Sequence, residues 1–275
     1  MYSILFSNDL PLVKITLILS ESFYQMNFLR GFMKFENQTV IVTGGTRGIG
    51  RGIAEAFLKE GATVIATYAG NDAAASKFYE EINSPLLSVK KCDVRNEEAI
   101  IEFFKELELT HPKLEILVNN SGIRKDQVTA MMTLHDWNDV ISTNLTGTFL
   151  MSKHAVLKFM SNRYGRIVNM SSIGGSLGLP GQANYAASKA GQIAISKTLS
   201  KEVAKRGITV NNVLPGFIDT ELLADLPEEQ RKEYMKDVPM KRFGKVEEVA
   251  AAVLFLSSRE ASYITGACLE ISGGL

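Results

Sequence analysis

The sequence has few of the residues that build cross-linked or metal-dependent folds. Its 275 residues include two cysteines and three histidines. Two cysteines cannot form the framework of a small secreted domain, and Cys92 and Cys268 each lie in a strand-like run, so we expect both to be buried thiols of a cytoplasmic protein. The histidines lack the spacing of metal ligands, and we therefore expect no metal site at His111, His135 or His154.

The sequence also lacks an excess of either charge. Its 30 Lys and Arg residues balance its 30 Asp and Glu residues. A composition of this kind favours neither a nucleic-acid surface nor a membrane surface. Hydrophobic residues make up 45% of the chain, which is enough to form a substantial core.

The first 32 residues have the pattern of neither a membrane span nor a signal peptide. The apolar run at residues 10–20 contains Lys14 and is too short to span a bilayer. A signal peptide would begin with basic residues, whereas Asn8 and Asp9 precede this run. We therefore expect residues 1–32 to be a poorly ordered extension or the product of an upstream start codon, and the working domain to cover residues 33–275.

Short apolar strands alternate with helices over the rest of the chain. Helical spacing separates the strands, with one long predicted helix over residues 136–163 and another over 183–206. Such alternation predicts a parallel sheet covered on both faces, so we expect a single α/β domain with a doubly wound, Rossmann-type sheet. The predicted strands are residues 39–43, 63–68, 86–94, 114–120, 165–172, 208–216 and 267–274.

The glycine-rich segment TGGTRGIG, residues 43–50, joins the first strand to the first helix. Glycines at positions 44, 48 and 50 let the backbone approach a pyrophosphate, and the helix N-terminus supplies N–H donors. The spacing differs from the usual G-x-G-x-x-G fingerprint, so a purely structural turn is the alternative. The position of the segment between a strand and a helix favours a dinucleotide site.

The end of the second strand indicates which dinucleotide binds. A carboxylate there would bond the ribose 2′-OH of NAD and repel a 2′-phosphate. The sequence has Thr67, Tyr68 and Ala69 at this end and no acid before Asp72. Arg47 in the glycine turn can bind a phosphate through two N–H groups, or it is a solvated loop cation. We therefore predict NADP(H) as the cofactor.

Polar residues also follow the third and fourth strands. Asp93 could accept a hydrogen bond from the adenine amino group, or it could cap the next helix. The segment NNSG at residues 119–122 lies at the sheet edge where ligands bind in such folds, although Asn and Gly also favour turns.

A tyrosine and a lysine four residues apart indicate proton-transfer chemistry, although most pairs with this spacing are only surface residues of a helix. Tyr185 and Lys189 project from the same face of a helix. A free phenol has a pKa of about 10, and a nearby cation lowers it by about 1–3 pH units, so the tyrosine can act as an acid when a carbonyl is reduced. Ser172, which we choose over Ser171 from its position relative to Tyr185, can donate a second hydrogen bond to the substrate oxygen. Asn144 in the long helix could fix the lysine through water.

Together these segments resemble the short-chain dehydrogenase/reductase family. The likeness rests on TGGTRGIG, NNSG, ISTNLTGTF, the serine of the fifth strand, YAASK and NNVLPGFIDT, and it covers about residues 34–275. It is closest to the 3-oxoacyl-[acyl-carrier-protein] reductases, through SGIRKDQVTAMMTLHDWNDVISTNLTGTF, GQANYAASKAG and VPMKRFGKVEEVAAAVLFLSS with SYITG. The family usually has alanine at the position of Ser121, and its members often add a few residues after the position of Leu275.

The resemblance implies a catalytic tetrad, a cofactor site and an assembly. The tetrad is Asn144, Ser172, Tyr185 and Lys189, and the lysine also bonds the nicotinamide ribose. The assembly is a homotetramer, with the long helices at one interface and the C-terminal strand at another. With the positions already discussed, the predicted cofactor site comprises Gly44, Thr46, Arg47, Gly48, Ile49, Gly50, Thr67, Asp93, Val94, Asn120, Ser121, Gly122, Tyr185, Lys189, Pro215, Gly216, Ile218 and Thr220.

The same resemblance implies a reaction. We expect NADPH-dependent reduction of a 3-oxoacyl-[acyl-carrier-protein] to the 3-hydroxyacyl product in fatty acid synthesis. One alternative is a short-chain reductase or dehydrogenase that acts on another ketone or alcohol, such as an acyl-CoA, a sugar, a steroid or a quinone. Another is a non-catalytic dinucleotide-binding protein. The fold and the tetrad do not separate substrates, because the pocket and its lid select them.

Two surface features are assigned to the partner and the acyl chain. A carrier protein is acidic, so its reductase needs exposed cations near the pocket mouth, and Arg163 and Arg206 match basic positions of the family. Both arginines also lie near predicted helix C-termini, where the helix dipole favours them in any case. The polar segment 217–243 is expected to be a mobile substrate lid, or a solvated amphipathic helix.

Overall fold

Seven parallel strands form one sheet in the computed structural model, which describes residues 33–221 and 228–275. The strand order β3-β2-β1-β4-β5-β6-β7 means that the chain winds outward from β1 in one direction and from β4 in the other. All seven predicted strands are present, and each except β2 is shorter than predicted. The strands are β1 (Thr39–Val42), β2 (Thr63–Tyr68), β3 (Leu87–Lys91), β4 (Ile116–Asn119), β5 (Gly165–Met170), β6 (Ile208–Pro215) and β7 (Cys268–Ile271).

Helices connect the strands and cover the sheet. The doubly wound α/β fold predicted from the sequence is therefore confirmed, and Phe35–Leu275 form one compact unit. The predicted extension at residues 1–32 lies outside the described residues. The described helices are α1 (Gly48–Lys59), α2 (Asp72–Ile82), α3 (Glu97–Thr110), α4 (Leu134–Ile141), α5 (Gly147–Asn162), α6 (Gly174–Leu177), α7 (Ala183–Val203), α8 (Glu228–Asp237) and α9 (Val246–Ser257).

Side-chain caps fix the starts of several helices. Asn71 accepts a hydrogen bond from the backbone of α2, and Asn96 accepts one from the N–H of Ala99 in α3 at 2.9 Å. Asn96, and not Asp93, is therefore the N-cap of α3. The N-cap of α1 is Arg47, whose side chain makes no capping bond. The N-terminus of α1 thus keeps N–H groups that a ligand can use.

Apolar side chains fill both faces of the sheet. Phe35 and Phe57 lie on one face with helices α1 and α9, and Met151 and Phe159 lie on the other face with helices α3 and α5. All four side chains are fully enclosed. Since burial of one such side chain contributes about 1.5–3 kcal/mol, these two layers are the main source of the stability that fixes the sheet edge.

The long helix predicted over residues 136–163 is interrupted by a turn of π-helix. It runs from Leu134 to Asn162 as α4, a π-helical turn at Ser142–Thr146, and α5. The Thr143 hydroxyl donates to the Asp139 carbonyl four residues earlier at 2.8 Å, so it competes with the backbone ladder. Turns of this kind are frequent at functional sites, and this one contains Asn144.

The two cysteines differ in exposure. Cys92 follows β3 and is buried, as predicted, whereas Cys268 is exposed. The prediction for Cys268 was wrong because β7 is an edge strand, paired with β6 alone, and this depends on strand order rather than on local sequence. Of the helices in the described part of the chain, none is long and apolar enough to cross a membrane.

Candidate active site

Four predicted site segments meet at one edge of the sheet. The carboxyl ends of parallel strands share an edge, and β1, β4, β5 and β6 are consecutive neighbours. The glycine turn after β1 therefore lies beside NNSG, which lies beside Ser172 and then Gly216. The reversal of winding between β1 and β4 is the crevice where ligands bind in open α/β sheets.

The glycine turn is shaped by backbone conformations and close contacts. Gly44 and Gly48 have φ angles of 60° and 53°, in the left-handed region that favours glycine. A Cβ added at Gly50 would lie 2.2 Å from the Gly44 oxygen and 2.4 Å from Asn120 Nδ2. A Cβ at Gly48 would meet nothing within 4 Å. The turn is therefore tight against β4 at Gly50 and open to a ligand at Gly48.

Asn120 and Thr43 tie the glycine turn to the end of β4. Asn120 Nδ2 donates to the carbonyl oxygens of Thr43 and Gly44 at 3.0 and 3.1 Å. In return, Thr43 Oγ1 accepts from the N–H groups of Asn120 and Ser121, both at 2.9 Å. Sequence analysis did not single out Thr43, since a hydroxyl at a strand end is common.

The residues around the turn fit a dinucleotide. Helix α1 begins without a side-chain cap and without an acidic residue in its first turn, so its N–H groups and its dipole favour an anion. Among the described residues, the buried Thr67 Oγ1 has no hydrogen-bond partner. Arg47 is exposed beside the turn, and Thr46 is buried within it. Together these features suit a pyrophosphate with its flanking riboses.

The charged groups after β2 and β3 form local pairs. Asp72 pairs with Lys91 at 3.1 Å, so the first acid after β2 is neutralised by a cation at the end of β3. Asp93 pairs with Arg95 at 2.7 Å, and this guanidinium lowers the pKa of the Asp93 carboxyl. Val94 would contact a Cβ at Gly147 at 2.7 Å, and its side chain is buried. These contacts place Asp93 and Val94 at the sheet edge and leave their predicted roles toward adenine as predictions.

Ser172, Tyr185 and Gly174 form one face of the site. A Cβ at Gly174 would lie 3.4 Å from Ser172 Oγ and 3.6 Å from Tyr185 Cε1. Burial raises the pKa of the Tyr185 phenol, and the neighbouring Ser172 hydroxyl opposes this rise. The same hydroxyl accepts from the Gly174 N–H at 3.0 Å. Ser171 points elsewhere, because its hydroxyl donates to the Lys189 carbonyl at 2.9 Å. The structure therefore brings Ser172, the serine chosen from the sequence, beside Tyr185.

Lys189 is enclosed beneath the tyrosine. Its ammonium lies 5.5 Å from the centroid of the Tyr185 ring and donates to the Met170 carbonyl at 2.6 Å. It also donates to Gln192 Oε1 at 3.3 Å. Burial lowers the pKa of Lys189 to about 7, because a cation that leaves water loses its hydration.

The electrostatics of Tyr185 differ from the prediction. Burial raises the pKa of the phenol, while the Ser172 hydrogen bond and the Arg124 guanidinium lower it. The expectation that Lys189 lowers this pKa was wrong for the structure, since its ammonium is directed at carbonyl acceptors. The guanidinium of Arg124 lies 6.0 Å from the Tyr185 ring centroid and pairs with Asp126. Sequence reasoning missed Arg124 because nothing in its local pattern marks it.

Asn144 is placed by the π-helical turn and anchors the segment after NNSG. Its side chain donates to the Ile123 carbonyl at 3.0 Å and accepts from the Ile123 N–H at 2.8 Å. It also donates to Ser188 Oγ at 3.1 Å. A Cβ at Gly122 would lie 3.4 Å from Asn144 Oδ1 and 3.6 Å from Lys189 Nζ. Asn144, Gly122 and Lys189 are therefore brought together, as the sequence predicted.

The predicted residues after β6 also lie at this edge. The Gly216 N–H donates to the Ile271 carbonyl at 3.0 Å, and Ile218 forms a bridge with Gly244. Pro215 is the last residue of β6, and Thr220 lies two residues beyond the buried Ile218. In the proposed lid, the Phe217 ring stacks on Tyr234 of α8 with centroids 4.6 Å apart. Residues 222–227 of this segment lie outside the described part.

Arg163 and Arg206 lie near each other at the amino ends of the strands, opposite the strand ends that carry the predicted site. Arg163 ends α5 just before β5, and Arg206 ends a 3₁₀ turn just before β6. A Cβ at Gly207 would lie 2.7 Å from the Arg163 oxygen, so the two loops touch. Both side chains are exposed. Within one protomer the two arginines thus lie at the amino ends of the strands, whereas Ser172 follows the carboxyl end of β5. The expectation that they flank the pocket mouth was therefore wrong for a single chain.

Comparisons with known proteins agree with this arrangement. Residues 44–275 match a family model described as "Enoyl-(Acyl carrier protein) reductase". The chain is 44% identical over 245 residues to 3-oxoacyl-[acyl-carrier-protein] reductase FabG of Vibrio harveyi, covering 88% of this chain and 99% of the relative. The FabG of Escherichia coli K12 is 44% identical over 244 residues, with the same two shares of 88% and 99%. An acetoacetyl-CoA reductase of Shinella zoogloeoides is 45% identical over 240 residues, 86% of this chain and 98% of the relative.

Proposed function

Because this chain is an oxidoreductase of the short-chain dehydrogenase/reductase family, we propose that it reduces a 3-oxoacyl-[acyl-carrier-protein] with NADPH to the 3-hydroxyacyl product in fatty acid synthesis. The observation that carries the proposal is the pairing of Ser172 with Tyr185 around Gly174, above the enclosed Lys189. Two hydroxyl groups that meet in this way can both donate to one ketone oxygen. The relatives described above are named for the reduction of 3-oxoacyl thioesters, whether carried by a protein or by CoA.

The chain's own groups supply the proton and the orientation. A reduced nicotinamide, when bound, would supply hydride to the ketone carbon. Tyr185 would give its proton to the ketone oxygen, and Ser172 would donate its one hydroxyl proton to the same oxygen and so orient it. Lys189, with a pKa of about 7, can exchange protons at neutral pH beneath the tyrosine. A positioned proton donor contributes about 10²–10⁴ to the rate.

The glycine turn and its neighbours would hold the dinucleotide. The free N–H groups at the start of α1 would bind the pyrophosphate, and the open space at Gly48 would leave room for it. Two features favour NADPH over NADH. Exposed Arg47 offers a cation to the 2′-phosphate. The pairing of Asp72 with Lys91 weakens the repulsion that an unpaired acid would exert on that phosphate. Lys189 would bond the nicotinamide ribose.

The carrier-protein proposal depends on assembly. Arg163 and Arg206 form an exposed basic pair that suits an acidic partner, but it lies at the sheet edge opposite Ser172 of the same chain. A carrier docked there would have to deliver its acyl chain to a neighbouring protomer. The proposed docking role and the proposed homotetramer therefore belong together. A lid formed by residues 217–243 would then close over the acyl chain.

One steady-state experiment tests the substrate and the cofactor together. NADPH and NADH are each compared with acetoacetyl-carrier protein and acetoacetyl-CoA as substrates. We expect the highest kcat/KM with NADPH and the carrier-linked substrate, and loss of the carrier preference in Arg163→Glu. Equal or better activity on the CoA thioester would favour the second candidate, a CoA-thioester reductase, which the acetoacetyl-CoA reductase relative supports. No turnover of either thioester would refute the proposed function.

A further inference from the structure

Gln192 lies one helical turn after Lys189 on α7, and its side chain is fully buried. It belongs neither to the expected tetrad nor to the expected cofactor contacts. Its amide oxygen accepts a hydrogen bond from the Lys189 ammonium at 3.3 Å. Its amide nitrogen donates to the main-chain oxygen of Asn144 at 2.7 Å and to Thr148 Oγ1 at 2.8 Å. One side chain thus connects the lysine of α7 to the π-helical turn that carries Asn144.

We propose that Gln192 is a positioning residue for the reductase site. Its side chain holds the Lys189 ammonium beneath Tyr185 and donates a hydrogen bond to the main-chain oxygen of Asn144. The proposal rests on the proposed function for its kinetic part alone, because the arrangement of Lys189 is measurable without substrate or nucleotide.

The first argument concerns the acceptors of the buried ammonium. A lysine ammonium has three N–H donors, and each one left unpaired in the interior destabilises the charged form. The Met170 carbonyl accepts a hydrogen bond from the ammonium at 2.6 Å, and Gln192 Oε1 accepts a second at 3.3 Å. The third N–H is on the side of the ammonium that faces the Tyr185 ring. An aliphatic residue at position 192 would leave a second proton without its acceptor, and the ammonium would lose the contact that directs it.

The second argument concerns the main-chain oxygen of Asn144. It accepts from Gln192 Nε2 at 2.7 Å and from Thr148 Oγ1 at 2.7 Å, so both of its lone pairs are used. Gln192 and Thr148 therefore both hold this oxygen of the π-helical turn. An amide holds its N–H protons at neutral pH, so Gln192 fixes the lysine without conducting protons to it.

Charge at position 192 should dominate the titration of Lys189. The ammonium faces Tyr185 from its own helix, the Met170 carbonyl from β5 and, across Gly122, the Asn144 side chain. Burial is the cause of its lowered pKa, and none of the carboxylates in the described ranges, 33–221 and 228–275, contributes to it. A carboxylate in place of the Gln192 amide would thus be the nearest anion.

The test is an NMR titration of the full chain without nucleotide, labelled with ¹³C at lysine Cε. The signal of Lys189 is assigned by its loss in Lys189→Met. We expect Gln192→Glu to raise the titration midpoint by about 1 pH unit or more, because an anion within reach favours the ammonium. We expect Gln192→Leu to lower it, because an acceptor is lost. Midpoints that stay at the wild-type value in both variants would overturn the proposal.

Ser196→Ala is the matched control. Ser196 lies one turn further along α7 and is fully buried, and its hydroxyl bonds the side chains of Asn212 and Asn169. It also bonds the main-chain oxygen of Gln192 at 2.7 Å, so the control keeps the Gln192 amide and removes only a contact to its backbone. Its loss should leave the Lys189 midpoint unchanged, and an equal change in this control would also overturn the proposal. In the wild type and Gln192→Glu, the pH profile of kcat should move with the midpoint. If the wild type reduces no 3-oxoacyl thioester, the proposed function falls while the titration still decides the role of Gln192.

Discussion

The glycine turn and the proton site on α7 lie at one edge of the sheet, but they are held in place by different means. The turn depends on main-chain shape, with positive φ angles at Gly44 and Gly48 and a close approach at Gly50. The proton site depends on side chains, with Lys189 and Gln192 enclosed by partners from distant segments. The first region should therefore be sensitive to added volume, and the second to the loss of a polar partner.

The two regions also treat charge in opposite ways. The start of α1 keeps its N–H donors and its positive dipole end available to an anion, without an acid in the first turn. The proton site removes a cation from water, and burial lowers the pKa of Lys189 to about 7. An exposed anion site can bind a ligand without rearrangement of the chain, whereas a buried amine near its pKa can exchange a proton at neutral pH.

The largest effect is expected from removal of the proton donor in the second region. Tyr185→Phe keeps the ring beside Lys189 but removes the hydroxyl that pairs with Ser172. We expect kcat to fall by about 10²–10⁴, with little change in the dissociation constant of NADPH. Single-turnover kinetics and nucleotide titration measure the two quantities. Turnover within about 10-fold of the wild type would assign proton donation to another group.

The next effect tests the volume limit of the first region. Gly50→Val places a side chain where a Cβ alone would lie 2.2 Å from the Gly44 oxygen. Overpacking of this kind costs about 1–3 kcal/mol, so we expect nucleotide affinity to fall about 10-fold or more and the melting temperature to fall with it. Calorimetric titration with NADPH measures the affinity.

Gly70→Ala is the matched control for the turn, since a Cβ at Gly70 meets nothing within 4 Å. Its affinity and its melting temperature should stay near the wild-type values. Were Gly50→Val to bind NADPH normally, the close approach of the turn to β4 would have no part in the site.

How far the sequence predicts these regions depends on the range of the signals. All seven strands were predicted because apolar runs and glycines are local features, and the glycine turn followed from its place between β1 and α1. The π-helical turn was missed, since apolar spacing continues through residues 142–146. The bond from Gln192 to the Asn144 oxygen spans 48 residues, and no local pattern marks it. The exposure of Cys268 likewise depends on strand order.

The direction of the Tyr185 pKa shows the same limit. Helical spacing correctly placed Lys189 on the face of Tyr185, with the ammonium 5.5 Å from the ring centroid. It could not show that the ammonium donates to the Met170 carbonyl, or that burial dominates both groups. Proximity along a helix predicts neighbours, whereas a pKa depends on what encloses them.

A smaller effect concerns the stability cost of the buried lysine. The pKa of Lys189 is about 7 in the folded chain, against about 10.4 for an unfolded lysine. Between these values the unfolded state binds a proton that the folded state does not, so the contribution of Lys189 to stability rises with pH. We expect the unfolding free energy of the wild type, relative to Lys189→Met, to rise by up to about 1.4 kcal/mol per pH unit from about pH 7 to 10. Urea denaturation at several pH values measures it, and a flat difference would contradict the lowered pKa.

The smallest effect is expected at the exposed end of the first region. Arg47→Glu replaces the cation beside the glycine turn by an anion, at a position where solvent weakens charge interactions. We expect KM for NADPH to rise about 10-fold and KM for NADH to change little, because NADPH alone carries a 2′-phosphate to repel. Lys59→Glu at the far end of α1 is the charge-matched control and should leave both values unchanged. Since salt screens an exposed charge pair, the rise of KM for NADPH should be smaller in 0.5 M salt. An equal rise of KM for both nucleotides would mean that Arg47 binds the shared pyrophosphate instead.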